Sequence, residues 1–247
     1  MIFTIAHKEF RSLFAAPSTW LILGALQFIF AWFFLARLDA FLQVQAQLAQ
    51  LANAPGATQA VTAPLFGTVA LVMMMLVPVF TMRLIAEERR NQTLTLLMTA
   101  PVSSVQIVLG KFLGLLLFLL LIITGCLLMV LVLAAGTQLD MGLLLSNALG
   151  LLLLTAAYAA LGLYISSLTV QPVVAAIAAL AALFGLWLVE VSAVDNGNAW
   201  RALAPTSHFE SFNLGLLNGG DLIFFPLFCI AFLLLAIRRL HNNRIYG

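Results

Sequence analysis

The sequence predicts an all-α, polytopic membrane protein with six transmembrane helices, and three observations predict it. The first is composition: 64% of the 247 residues are hydrophobic, 8% are charged, and the mean hydropathy is +1.12. An ordinary soluble domain carries about 25% charged residues. The second is the set of uncharged runs, 12–36, 40–82, 112–139, 141–189 and 222–237. A bilayer crossing needs roughly 20 apolar residues, so the first, third and last runs hold one span each. The second run holds one span after a Gln-rich piece. The fourth is too long for one helix and breaks at Ser166-Ser167-Leu168-Thr169-Val170-Gln171-Pro172, giving two. The third observation is cation placement. With the N-terminus inside, Lys8, Arg11, Arg83, Arg89, Arg90, Lys111, Arg238, Arg239 and Arg244 are cytoplasmic, and only Arg37 and Arg201 lie outside. That asymmetry predicts both termini inside. The net charge of +2 is this same bias and points to no nucleic acid.

The whole chain, 1–247, reads as one transmembrane domain. Residues 1–16 open it as a helix lying along the bilayer, with Phe3, Ala6, Phe10, Leu13 and Phe14 on one side and Thr4, Lys8, Arg11 and Ser12 on the other. A plain basic flank is the alternative. Pro17-Ser18-Thr19 starts the first span, 18–38, with Trp20 and Trp32 as candidate interface anchors. Val44, Leu48 and Leu51 keep one stripe, and Gln43, Gln47 and Gln50 another, until Pro55-Gly56. The helix is therefore expected to project outside as a handle for an extracytoplasmic partner, against the alternative of a polar loop. The second span, 64–84, carries Met73-Met74-Met75. Thioethers bind Cu(I), but three consecutive residues point three ways around a helix, so adaptable packing is expected.

The third span, 106–135, contains Gly110-x-x-x-Gly114, a spacing that lets helices approach closely. Asp140 marks a short outer turn. The fourth span covers 143–167, and the Ala-rich fifth, 172–191, ends near Glu190, which is expected to be wet. An outer loop, 192–221, precedes the last span, 222–238, and a basic tail against the inner leaflet. Cys126 and Cys229 lie deep in predicted spans and read as packing residues. The first apolar run is longer than a signal-peptide core, so no cleaved leader is expected.

The stretch 83–111 stands out, with Arg83, Glu87, Glu88, Arg89, Arg90 and Lys111 between two apolar spans. Such a cluster belongs in water or against a protein partner. Leu94, Leu97 and Met98 recur at helical spacing, Pro101 ends that helix, and Ser103-x-x-Gln106 forms a capping box for the next. A solvated loop that only sets topology is the plain reading. RLIAEERRNQTLTLLMTAPVSSVQIVLGKF also resembles the first cytoplasmic loop of ABC-2 type exporter permeases, where a pattern close to R-x-x-A-E-E-R-x-x-G-T-x-x-x-L-L-x-x-P-[VI]-S…G-K recurs. IAHKEFRSLFAAPSTWLI and PTSHFESFNLGLL are similar to the branch that includes gliding-motility and copper-enzyme-maturation permeases. Where that family usually has Gly, this chain has Gln92, which implies a differently shaped turn.

The resemblance implies that the N-terminal helix is an elbow bracing the first span. It also implies that 86–100 form a cytoplasmic coupling loop and helix. Glu87, Glu88, Arg89, Arg90, Thr93, Leu94, Leu97, Met98 and Pro101 would then be the ATPase-docking residues. The implied partners are two copies of a separate ABC ATPase, which would bind ATP and Mg, and a second copy of this chain or a related permease. The implied place is the inner membrane of a bacterium, and no cofactor or metal is expected in this chain itself.

In the outer loop, Asp195-Asn196-Gly197 reads as a turn and Ser207-x-x-Glu210 as a capping box. The box opens a short helix with Phe209, Phe212 and Leu216 on one side, closed by Gly219-Gly220. Such a helix is interfacial or re-entrant. Resembling exporters place re-entrant helices over the exit pathway, which makes His208, Phe209, Glu210, Phe212 and Leu216 candidates for an outer gate or partner contact; simple anchoring of the loop is the alternative. His208 and Glu210 lack a third ligand for a metal.

Catalytic motifs are missing from the sequence. Gly110-Lys111 is followed by Phe112 and lacks the upstream Gly of a phosphate loop. Neither a G-x-S-x-G elbow nor an H-E-x-x-H pair occurs. The expected function is that of a non-catalytic permease subunit coupled to an ATPase. The alternative is a membrane scaffold that transports nothing and relays ATP-driven movement to an extracytoplasmic protein. An ion channel is weaker, because no span carries a ring-forming charge.

Overall fold

The computed structural model describes residues 1–48, 56–93, 102–136, 139–192 and 199–246. Among these residues the regular structure is helical, with no strand, and six helices are long and apolar enough to cross a membrane. The short helix α1 (Ile2–Ala15) is followed by α2 (Pro17–Leu48), α3 (Ala57–Met82), α4 (Ser104–Leu131), α5 (Met141–Leu168) and α6 (Pro172–Ser192). A second short helix, α7 (Pro205–Asn213), precedes α8 (Gly219–Tyr246).

Local chemistry sets most of these boundaries. Ala16 is extended (φ −81°, ψ 121°), and Pro17 then opens α2, because a proline ring suits the first helical turn. Ser103 Oγ accepts from the Gln106 amide at 3.2 Å, while Gln106 Oε1 accepts from the Ser103 amide at 3.2 Å. The expected capping box is thus present at the start of α4. Asp140 caps α5 by accepting from the amides of Gly142 (2.9 Å) and Leu143 (3.2 Å). Thr169 is extended (φ −121°, ψ 159°) ahead of Pro172, which separates α5 from α6 at the predicted break.

α3 exceeds its sequence outline, and α2 continues past its span as expected, as far as Leu48. α3 begins at Ala57 and carries both Pro64 and Pro78 inside it; membrane helices tolerate interior proline because neighbours satisfy the freed backbone groups. α2 runs 32 residues, about 48 Å at 1.5 Å per residue, against a hydrocarbon layer of roughly 30 Å. Its far end holds a hydrogen bond from Gln43 Nε2 to Asp39 Oδ2 at 2.9 Å. The predicted stripe continues past Leu48 to Gln50 and Leu51, and these residues and Pro55 lie outside the described residues.

The spans are unequally buried. Those of α3 and α5 are 61% buried within the chain, whereas α2 and α6 are 22% and 17% buried and form the periphery. α5 is the central helix, packed on α3, α4, α6, α7 and α8. Its approach to α3 needs Gly162, since a Cβ there would collide with Thr81. Met73 and Met74 are buried in this core while Met75 faces outward, so the three thioethers do diverge. Cys126 is buried, Cys229 half-buried, and both are free.

α3 does not end as an α-helix. Arg83–Glu87 form a π-helical turn, and one further helical turn, Glu88–Arg90, follows. Ser166 of α5 fits into this irregularity: its hydroxyl accepts from the Ala86 amide at 3.0 Å and donates to the Met82 carbonyl at 3.3 Å. Inserted side chains and π turns of this kind redirect helices.

Candidate functional site

Polar side chains gather at the two opposite ends of the bundle. At the first end α1 lies across the start of α4, and the small residues noted in the sequence make the contact. A Cβ on Gly110 would come within 2.7 Å of Ile5 Cβ, and one on Gly114 within 2.8 Å of the Ala6 carbonyl. The Gly-x-x-x-Gly spacing therefore seats the short N-terminal helix rather than another span.

The buried face of α1 differs from the one its apolar residues outline. Ala6, Glu9 and Leu13 are buried, Phe10 and Phe14 are half-buried, and Phe3 is exposed. Glu9 belongs to the interior because Lys111, with 0% of its side chain exposed, stands opposite it. Lys111 Nζ donates to Glu9 Oε1 at 3.0 Å and to Glu88 Oε1 at 2.6 Å. Lys8 Nζ lies 3.5 Å from Glu9 Oε1 and 3.9 Å from Glu88 Oε1. Two cations thus balance two carboxylates, which is the condition under which buried charge is tolerated. This corrects the expectation that the charged stretch sits wholly in water or against a partner: Lys111 and Glu88 are spent on an internal cluster. The cluster fastens α1, the helical turn after α3, and α4 to one another.

The other predicted docking residues lie around it. Glu87 and Arg89 are half-buried, whereas Arg90 and Thr93 are exposed. Glu88 Oε2 and Arg89 Nη2 are buried without a hydrogen-bond partner among the described residues. A cavity of about 320 Å³ opens beside them, lined by Lys8, Glu9, Arg83, Glu87, Glu88 and Asn91 among others. Leu94, Leu97, Met98 and Pro101 lie outside the described residues.

Gln92 occupies a left-handed conformation, φ +58°. The turn is closed by the Asn91 amide on the Glu87 carbonyl (2.9 Å) and the Gln92 amide on the Arg89 carbonyl (3.1 Å), and Thr93 Oγ1 donates to the Glu88 carbonyl at 3.3 Å. The backbone at Gln92 therefore adopts a conformation that favours glycine. Gln92→Gly is expected to relieve this strain and raise stability by up to about 1 kcal/mol, less the extra unfolded-state entropy of glycine. A lower thermal midpoint for Gln92→Gly in detergent micelles would count against that account.

At the opposite end, α7 is fixed to four spans. Asn213 Nδ2 donates to the Ala63 carbonyl of α3 at 2.9 Å, and Ser146 Oγ of α5 donates to the Phe212 carbonyl at 2.9 Å. Thr206 Oγ1 donates to Glu190 of α6, and His208 Nδ1 lies 2.5 Å from Asp221 Oδ1 of α8. Phe209 and Phe212 are buried, and a Cβ on Gly150 would collide with Phe212. Glu210 pairs with Arg201 at 3.2 Å, and Leu216 is 62% exposed.

Three sequence expectations are corrected here. The helix starts at Pro205 with Ala204 as its N-cap, so Ser207-x-x-Glu210 is not a capping box. Ser207 Oγ instead donates to the carbonyls of Arg201 and Ala204. Pro205 settles the start, since it has no amide to satisfy. Leu216 does not join Phe209 and Phe212 in one buried face, because the helix ends at Asn213 and Gly215 turns the chain at φ +79°. Glu190 is half-buried and hydrogen-bonded rather than wet. The Asp195-Asn196-Gly197 turn lies outside the described residues.

The sequence reasoning missed Glu9 and Asp221. A carboxylate inside an otherwise apolar helical stripe was the available signal for Glu9. Residues 3–242 match the family described as ABC-2 family transporter protein. No curated protein matches it.

Proposed function

This chain belongs to the ABC-2 family of transporter proteins, and from that premise we propose that it carries movement from an ATPase through the Glu9–Lys111–Glu88 cluster into its spans. Membership makes it a multi-pass membrane permease subunit of an ABC transporter, which partners an ABC ATPase and is not catalytic alone.

In the reading we favour, two copies of this chain, or this chain and a related permease, work with two ATPase subunits that bind ATP and Mg. The 86–100 segment docks on the ATPase, with Glu87, Arg89, Arg90 and Thr93 at its start and Leu94, Leu97 and Met98 supplying apolar contact before Pro101. Glu88 serves differently, as the tether behind the docking segment. α1 and the last turns of α8 lie at the end of the bundle that holds Arg89, and the cation bias supports reading that end as the cytoplasmic one; the inner membrane of a bacterium is what the family resemblance implies. The branch of gliding-motility and copper-enzyme-maturation permeases remains a proposal that rests on the N-terminal and outer-loop stretches.

The single observation that carries this reading is the placement of Lys111. One fully buried amine bonds the turn that leads into the docking segment, at 2.6 Å, and the elbow helix, at 3.0 Å. A push on the docking segment is therefore delivered to α1 and α4 together, as rigid-body motion. Leu97→Ala is expected to weaken assembly with the ATPase by roughly 1–3 kcal/mol, the scale of an interface anchor, and Leu97→Asp to abolish copurification. Unchanged copurification and unchanged ATPase stimulation in Leu97→Asp would sink the docking role.

The second reading, a relay to an extracytoplasmic protein without cargo, draws support from the length of α2. Transport of cargo by vesicles containing both subunits would decide against it.

A further inference from the structure

His208 is held by oxygen on both sides of its ring. Nδ1 lies 2.5 Å from Asp221 Oδ1, and Nε2 lies 2.9 Å from the Ala202 carbonyl oxygen. A carbonyl oxygen only accepts, so Nε2 must carry a proton and donate. An ionised carboxylate also only accepts, so a proton must sit between Nδ1 and Asp221 as well. Whichever of the two owns that proton, the pair holds one more than a neutral imidazole beside a carboxylate would. The surroundings suit a cationic ring: Phe224 stacks on it face to face, with centroids 3.9 Å apart and planes at 23°. Asp221 is 7% exposed. The site borders an open cavity of about 510 Å³, which gives bulk protons a route in.

We propose that His208 and Asp221 form a proton-binding site that latches α7 to the start of α8, and that losing the proton frees the outer cap. The inference rests on reading α7 as the outer-gate helix that the family resemblance implies, here called the outer cap, and adds a chemical control to it. Without the proton, one ring nitrogen turns a lone pair toward an oxygen, so His208 loses either its tie to Asp221 of α8 or its tie to the Ala202 carbonyl, and α7 is held by one bond fewer. The latch is therefore closed at low pH, with the proton bound, and released as pH rises and the proton is lost.

The charged groups around the latch fit this sign. Asp221 on α8, Glu190 on α6 and Glu210 on α7 are carboxylates that favour the cationic ring, and Arg201 opposes it but is paired with Glu210 at 3.2 Å. α3 brings no titratable side chain between Ala57 and Met82, and α5 brings only Tyr158 and Tyr164. Of the other polar ties of α7 to the spans, those to Ser146 and to Ala63 hold no titratable group, and that from Thr206 ends on the Glu190 carboxylate. They leave the latch as a switchable member of a fixed set.

The experiment places spin labels at Ser211→Cys and Ile223→Cys in the full chain, with Cys126 and Cys229 replaced by Ala. Labels are attached before pH is varied, and distances are read in nanodiscs of phosphatidylethanolamine and phosphatidylglycerol. Between about pH 5 and about pH 9, the ratio of displaced to docked cap is expected to rise roughly tenfold or more, the scale of one charge-assisted hydrogen bond. Asp221→Asn decides the mechanism, because an amide can donate to a neutral Nδ1 and close the latch without the proton. It should stay docked at both extremes. Glu190→Gln should keep the pH response. A displaced fraction independent of pH, a normal response in Asp221→Asn, or a response abolished by Glu190→Gln would each overturn the proposal. The readout is cap position, so its failure leaves ATPase docking, read by copurification, untouched.

Discussion

Lys111→Ala is expected to lower the unfolding free energy by about 3–5 kcal/mol, the cost of breaking a buried ion cluster from one side. The amine is completely enclosed and bonds two carboxylates whose side chains are 11% and 17% exposed. Removing it leaves Glu9 and Glu88 facing each other with only Lys8 for compensation, and Lys8 is 63% exposed and more distant. Repulsion and lost solvation then act together to lift α1 from its glycine seat on α4. Neutralising all three groups, as Lys111→Met with Glu9→Gln and Glu88→Gln, is expected to recover most of the loss, because no charge is stranded. Thermal or denaturant unfolding in detergent micelles measures both. A Lys111→Ala protein as stable as the parent would remove the physical basis for the tether.

Phe212→Ala is expected to cost about 3–5 kcal/mol, as for a large aromatic removed from a core. The ring is 0% exposed and packs over Gly150 and beside Phe225, at 6.1 Å and 61°. The contrast is Leu216→Ala, expected within about 0.5 kcal/mol of the parent because that side chain is exposed. Both substitutions fall in the same predicted cap, so the pair separates a helix set into the bundle from one lying on a surface. Equal effects would mean that α7 does not plug the bundle through its aromatic face.

How much of this was legible in the sequence depended on the range of the interaction. The six spans follow from runs of uncharged residues, which report on the solvent around each helix and need no tertiary partner. The capping box at Ser103 and Gln106 is equally local, with both bonds made within four residues. Gly110 and Gly114 announced a close approach, but the spacing says nothing of what approaches. The ion cluster was hidden for a stronger reason. Glu9 and Lys111 are 102 positions apart, and a lysine beside a span ordinarily reaches for water along its stem. Only packing of α1 across α4 turns that lysine inward. In the cap, two local signals competed: the S-x-x-E pattern suggested one start and Pro205 another, and the proline prevailed. Asp221 stands just before the last apolar run, and its tie to His208 follows only from how the chain folds back.

The π turn at 83–87 carries a geometric message. It adds one residue to the repeat, so Glu88–Arg90 stand about 100° around the axis, and 1.5 Å along it, from where an unbroken helix would place them. That phase offset aims Glu88 at Lys111; with regular pitch the carboxylate would swing to another quarter of the cylinder. The orientation of the Glu88–Arg90 turn is thus written into a single surplus residue, held in place by the hydroxyl of Ser166.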